Sequence, residues 1–349
     1  MKRILTAIFV MGLAGFVFLL PTAGFAQSGA TQATDPAAET VQGEEEVGYT
    51  IEEYEAYEKS TQEPDLDKRL EMLNAFIVKY PESKLMIYIT NAYELLIREY
   101  SNSEQWDKLI VVAEQMLKTY PDNELAITGI AAAAQKLGNN QKFLDYALKI
   151  YEKTPDAALA YGISQAYNNL KDQDKYLEWT EKLFAYPEFN GEFPLRMLFV
   201  NKYFGEEKFD KAADYAQKAL DCLKEAKKPE TMSNADWNKQ LGQVRKICYF
   251  VRGINYFENR KNYQAAIKEF QNALNVEKYT DPYYYMGHCY WKLDQIEDAI
   301  DAFAKAYVLG GNLAPKAEEY VETLYKPLHN NSLVGIDKVY RRAKQELGL

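Results

Sequence analysis

From Tyr49 onward the chain places apolar residues three and four positions apart, with charged and amide residues between them. Such spacing lines one face of an α-helix. Ile51, Tyr54 and Tyr57 open the pattern, and Leu70, Leu73 and Phe76 continue it. Phe143, Ala147 and Ile150, then Ala212, Ala216 and Ala219, carry it through the middle of the chain. The periodic runs fall into neighbouring pairs: 50–61 with 66–79, 84–100 with 104–119, 124–137 with 140–153, 156–170 with 173–186, and 192–205 with 208–226. A break at 227–233 holds Pro229 and a predicted N-cap at Ser233, and a long helix over 234–259 follows. With the two pairs that run from there to Leu309, the pattern predicts about seven helical hairpins. Gly310-Gly311 is a predicted helix stop. Two further helices, over about 313–326 and 335–347, are rich in Glu, Lys and Arg.

Four junctions share one punctuation: Lys79-Tyr80-Pro81, Thr119-Tyr120-Pro121, Lys153-Thr154-Pro155 and Ala185-Tyr186-Pro187. Proline cannot continue the helical hydrogen-bond ladder, so each marks a helix end. The acidic residue after each proline (Glu82, Asp122, Asp156, Glu188) and the short polar residues near it are expected to suit the next helix start, by capping and through the dipole. The prolines lie 40, 34 and 32 residues apart.

The clearest repetition lies between Tyr249 and Ala306. Tyr249-x₂-Arg252-Gly253-x₂-Tyr256 is followed by Ala266-x₃-Phe270 and Ala273, and Tyr283-x₂-Met286-Gly287-x₂-Tyr290 by Ala299-x₃-Phe303 and Ala306. The glycines are offset by 34 residues and the Ala–Phe–Ala sets by 33, because the first copy has one extra residue in its turn. This resembles the tetratricopeptide repeat, a helix–turn–helix unit of about 34 residues with the signature W-x₂-L-G-x₂-Y…A-x₃-F. The likeness spans residues 50–310 and is sharpest in the last two hairpins. It implies an all-α fold: an α/α solenoid of tetratricopeptide-type helical hairpins over 49–311, closed by a C-terminal capping helix pair over 312–349. Such hairpins bury their apolar faces by stacking, and the end of the stack needs a polar cap. The short segment 75–83 is also similar to repeats of bacterial envelope-assembly proteins.

Residues 1–26 have the form of a secretory signal peptide. Lys2 and Arg3 precede an uncharged run over 4–20, then Pro21 and the small-residue site Ala23-Gly24-Phe25-Ala26. An uncleaved membrane anchor is the alternative, since the run is at the lower limit for a span. Residues 27–48, with Glu44-Glu45-Glu46 and few large apolar side chains, are expected to be a flexible linker. The predicted setting is export, to a bacterial periplasm, cell surface or medium, with membrane contact only through a retained signal segment.

Composition changes this picture little. Hydrophobic residues at 47% suffice for a core, and 28 tyrosines supply bulk that tolerates a wet edge. The formal charge of −10 does not favour nucleic acid, which calls for a basic patch. Cys222, Cys248 and Cys289 are an odd number for a disulfide framework, so buried free thiols are expected, with one disulfide plus a leftover thiol as the alternative.

Enzyme chemistry finds few parts here. The two histidines, His288 and His329, are far apart, and no metalloprotease, phosphate-loop or nucleophile-elbow motif occurs. The expectation is a non-enzyme without cofactor or metal, whose partner is a protein or peptide. In the tetratricopeptide family the first helix of each hairpin lines a concave groove. The resemblance therefore implies partner-binding positions at Tyr284, His288, Trp291 and Lys292 in the last hairpin. Their equivalents are Phe250, Ile254 and Phe257, then Met197, Asn201 and Phe204, then Tyr161, Gln165 and Asn168. Any of these aromatics has inter-hairpin packing as its other use, and Trp291 has the C-terminal cap as a second neighbour. Chaperone-type members clamp a terminal carboxylate with lysines and asparagines; the lysines of that set are missing here. A self-associating envelope component and a small-molecule binder are the other two readings.

Overall fold

A computed structural model describes residues 48–349; the expected signal peptide, and all but the last residue of the expected linker, lie outside the described residues. Regular structure among the described residues is helical, and it divides into two compact units split between Leu183 and Phe184.

The first unit holds α1 (Ile51–Gln62), α2 (Leu66–Lys79), α3 (Met86–Asn102), α4 (Trp106–Thr119), α5 (Glu124–Lys136), α6 (Asn140–Lys153), α7 (Ala157–Asn169) and α8 (Gln173–Leu183). The second holds α9 (Phe193–Gly205), α10 (Phe209–Cys222), α11 (Asn234–Glu258), α12 (Tyr263–Leu274), α13 (Thr280–Lys292), α14 (Ile296–Leu309), α15 (Ala314–Leu328) and α16 (Ile336–Leu347). Within each unit consecutive helices pack as antiparallel hairpins that stack on the next, an α/α solenoid of tetratricopeptide type. The predicted helices match these within a few residues, with two shortfalls. α8 stops at Leu183 rather than near 186, because Tyr186 must be extended before Pro187 (φ −103°, ψ 130°) and Pro187–Phe189 forms a 3₁₀ turn. α10 ends at Cys222 instead of running to 226.

A glycine on the first helix of a hairpin and a ring on the second set the hairpin spacing. A Cβ added at Gly287 would lie 2.7 Å from Phe303, and one at Gly253 would run into Phe270. Both phenylalanines are fully buried. Each ring then stacks on a tyrosine of the following helix: Phe270 on Tyr285 (centroids 5.9 Å, 25° between planes) and Phe303 on Tyr320 (5.0 Å, 22°). α15 therefore docks as the first helix of one more hairpin. α16 packs on α14, through the rings of Tyr307 and Tyr340 (4.8 Å) and the ion pairs Lys305–Glu346 and Arg342–Asp301.

Six of the turns inside the hairpins share one device, the α1–α2 turn being extended at Glu63 instead. Glu104, Gly138, Lys171, Glu207, Lys261 and Asp294 each take a left-handed conformation (φ 49° to 70°). Just beyond, an amide reaches back to the carbonyl five residues earlier: Gln105 to Tyr100, Asn139 to Ala134, Asp172 to Tyr167, Lys208 to Tyr203 and Gln295 to Tyr290, all at 2.8–3.0 Å. This closes the helix end as a Schellman-type cap. In the α11–α12 turn the bond from Asn262 reaches Tyr256, six residues back, accommodating the extra residue.

Capping meets the expectation at two of the four proline junctions. Among the acidic residues only Asp156 caps a helix, accepting from the Leu159 amide at 2.8 Å. After Pro121 the cap is Asn123, which accepts from Ala126 at 2.9 Å, and the helices after Pro81 and Pro187 start without a side-chain cap. At the latter two the chain spends additional residues on turns before the helix begins. Ser233 does cap α11, accepting from the Asp236 amide. All three cysteines are free and buried, and burial pushes the Cys248 and Cys289 thiols up to about 12.

Gly287→Ala should destabilise the protein by about 1–3 kcal/mol, because neither the Phe303 ring nor the backbone has room to give. Gly205→Ala, where an added Cβ meets nothing, should be neutral or stabilising by up to about 1 kcal/mol. Denaturant midpoints of the two variants decide this; equal shifts would remove the glycine–ring contact from its role. The exposed Lys171, left-handed at φ 64°, should gain about 0.5–1 kcal/mol on replacement by Gly, measured the same way.

Candidate interaction surface

The thirteen positions implied by the family groove separate by burial. Met197, Phe204, Phe250 and Tyr284 are core residues, as is Ile254. Met197 Sδ accepts a weak hydrogen bond from Cys248 Sγ at 3.6 Å. Phe204 packs edge-on against Phe209 at 5.5 Å and contacts Phe250. Phe250 is enclosed by Phe270, Tyr279 and Tyr285 at 5.8–6.2 Å. Tyr284 meets His288 at 4.7 Å and Phe303 at 5.8 Å. None of these offers a face to a partner: α9, α11 and α13 are each flanked by helices on two sides, so ring positions that point between neighbours fill the stack.

The remaining positions reach the surface in three places. On α7, Tyr161 and Gln165 are half-buried and Asn168 is exposed, spaced along one helical face. On α9, Asn201 is half-buried, with a buried Oδ1 that finds no hydrogen-bond partner. On α11 and α13, Phe257, His288, Trp291 and Lys292 come together. Phe257 and His288 are half-buried and their rings lie 6.2 Å apart; Trp291 and Lys292 are exposed. Trp291 stands edge-on to Tyr320 at 5.7 Å and nearly parallel to His288 at 6.4 Å. It thus packs on the cap and presents surface at once, at 37% exposure.

Tyr320 was missed by reasoning from sequence, which treated 313–326 as a polar cap. It sits 35 residues after Tyr285, one beyond the 34-residue offset, which falls on Glu319.

His288 sits among Tyr284, Phe303 and Tyr320, all within 5.0 Å ring to ring. Burial, with the Lys292 charge as a smaller contribution, lowers its pKa to about 4. At neutral pH it is therefore an uncharged ring in an aromatic stack. Among the described residues no group of three or more His, Cys, Asp or Glu could hold a metal ion, and no helix is long and apolar enough to cross a membrane.

No protein-family model and no curated protein matches this chain. Solved structures do resemble it. A tetratricopeptide repeat protein from Parabacteroides merdae is 16% identical, with 78% of this chain and 98% of that one covered, at a TM-score of 0.29. YrrB, described as a TPR protein with an unusual peptide-binding site, is 15% identical over 72% of this chain and 99% of its own, at 0.34. The TPR2AB domain of yeast Sti1, in a pHSP90 complex, is 14% identical over 84% and 96%, at 0.29. The hairpin type is fixed here by the chain's own 34-residue spacing and its glycine–ring contacts, independently of these distant likenesses.

The depressed His288 pKa has a pH signature. The unfolded ring takes up its proton near 6.5, the folded one only near 4. His288 therefore leaves stability untouched above pH 6.5 and erodes it as pH falls from there toward 4. His288→Phe should remove that part of the acid dependence, seen as a shallower loss of melting temperature between pH 6.5 and 4 than in the parent. Identical slopes would mean that the ring titrates normally.

Proposed function

We propose that this protein is a non-enzymatic interaction scaffold of a bacterial cell envelope, holding an extended peptide or a helix of a partner protein on the surface around Trp291. The observation that carries this is the exposed Trp291 beside the exposed Lys292, backed by the packed rings of His288 and Tyr320. An aromatic held rigid before binding loses little entropy when a partner covers it, and tryptophan is a frequent centre of binding energy. The adjacent ammonium adds a charge that selects orientation and partner. Tyr161, Gln165 and Asn168 on α7 give the first unit a smaller surface of the same aromatic–amide kind. Residues 1–26 support the envelope assignment, because their charged, apolar and small-residue regions follow the order of an export signal.

Affinity capture from an envelope fraction, with the mature N-terminus sequenced on the same sample, tests both parts. Trp291→Ala should weaken capture of the principal partner by about 30-fold or more with far-ultraviolet circular dichroism unchanged. Undiminished capture, or lost helicity, would return Trp291 to a purely packing role. A mature chain beginning near Gln27 in the soluble envelope fraction is the expected outcome for export.

A further inference from the structure

Between the C-terminal half of α10 and the middle of α11 lies an open cleft of about 400 Å³, outside the positions implied by the family groove. Arg245, Tyr249 and Arg252 of α11 line one wall, spaced four and three residues apart and so on one helical face. Leu220 of α10 and Leu223 just past its end, both half-buried, provide apolar surface opposite.

The charges around this cleft do not balance. Arg252 is committed inward: one nitrogen donates to Glu269 Oε1 at 2.7 Å and another to Gln217 Oε1 at 2.6 Å. Lys224 lies 3.6 Å from Asp221, which offsets it. Arg245 alone among the cleft's cations pairs with no carboxylate among the described residues, in a chain whose net charge is −10. A guanidinium offers two parallel donors that match a carboxylate. With one unneutralised cation, and Asp221 on the rim to repel a second negative charge, the cleft suits a monoanion rather than a phosphate dianion. Tyr249 and the two leucines would cover an apolar or aromatic side chain next to that carboxylate.

We propose that this cleft binds a linear protein segment in which an acidic side chain adjoins a large apolar one, with Arg245 pairing the carboxylate. The inference shares with the proposed function only the premise that the chain binds proteins; it places a second recognition site away from Trp291.

The test uses the full chain and four fluorescent peptides: acetyl-Ala-Leu-Glu-Phe-Ala-amide and its Gln, phosphoserine and Lys analogues, followed by anisotropy. The Glu peptide should bind about tenfold more tightly than the Gln peptide, and should lose about tenfold on Arg245→Ala and more at high salt. Arg245→Glu should reverse the preference toward a Lys peptide, which a merely structural arginine would not do. Trp291→Ala should leave all of this unchanged. Equal binding of the Glu and Gln peptides, no effect of Arg245→Ala, tighter binding of the phosphoserine peptide, or no binding at all would each overturn the proposal. Loss on Trp291→Ala with retention in Arg245→Ala would also overturn it, and would assign the peptide to the Trp291 surface. Failure of envelope capture in the Trp291 experiment bears on the proposed function and leaves these peptide outcomes standing.

Discussion

Where Gly287 faces Phe303, two helices approach more closely than any side chain on the first would allow. Much of the second unit follows from that contact and its copy at Gly253–Phe270. The ring enters the space a Cβ would occupy, is sealed from water, and leaves its far face free to stack on Tyr320 of the next helix. One interaction thus fixes the distance within a hairpin and the register between hairpins. In the first unit the close glycine contacts run to the preceding hairpin instead: an added Cβ at Gly162 of α7 would lie 3.1 Å from Phe143 of α6, and one at Gly129 of α5 would lie 3.3 Å from Ile97 of α3.

The stacking also explains why an aromatic-rich chain offers few aromatics to a partner. Each ring on a first helix is drawn toward the ring of the helix before or after it, so Phe204, Phe250 and Tyr284 are absorbed into the core. Trp291 escapes only in part, because α13 is near the end of the array and its last turn looks onto α15 at one edge. Binding capacity and packing compete for the same residue type, and position in the stack decides which prevails. Arg245 has the opposite history. It belongs to the extra length of α11, where the helix runs beyond the repeat unit, and the carboxylate across the cleft, Asp221, pairs with Lys224 instead.

The turns show how far local sequence can be trusted. Gly138 announces its left-handed turn, but Glu104, Lys171, Glu207, Lys261 and Asp294 adopt the same conformation with ordinary side chains. Their strain is tolerated because the back-bonded amide and the packed helices on either side leave the chain no other path. The same applies to the acidic residues after the prolines. Any of the four has the chemistry of a cap, yet only Asp156 stands where the next helix begins, since the intervening turn length is set by how the hairpins stack.

Sequence alone determined the helices and their pairing, because apolar periodicity and proline punctuation act within one or two turns of chain. It also determined the hairpin type, because a glycine and a phenylalanine at a fixed offset have one efficient way to meet. Tertiary structure decided which aromatics face solvent, where the cap begins and which charges go unpaired. Those properties depend on residues brought together from separate helices, and no local pattern records them. Tyr320 marks the boundary: it falls one residue off the 34-residue offset, and only its ring stacked on Phe303 shows that the array continues into α15.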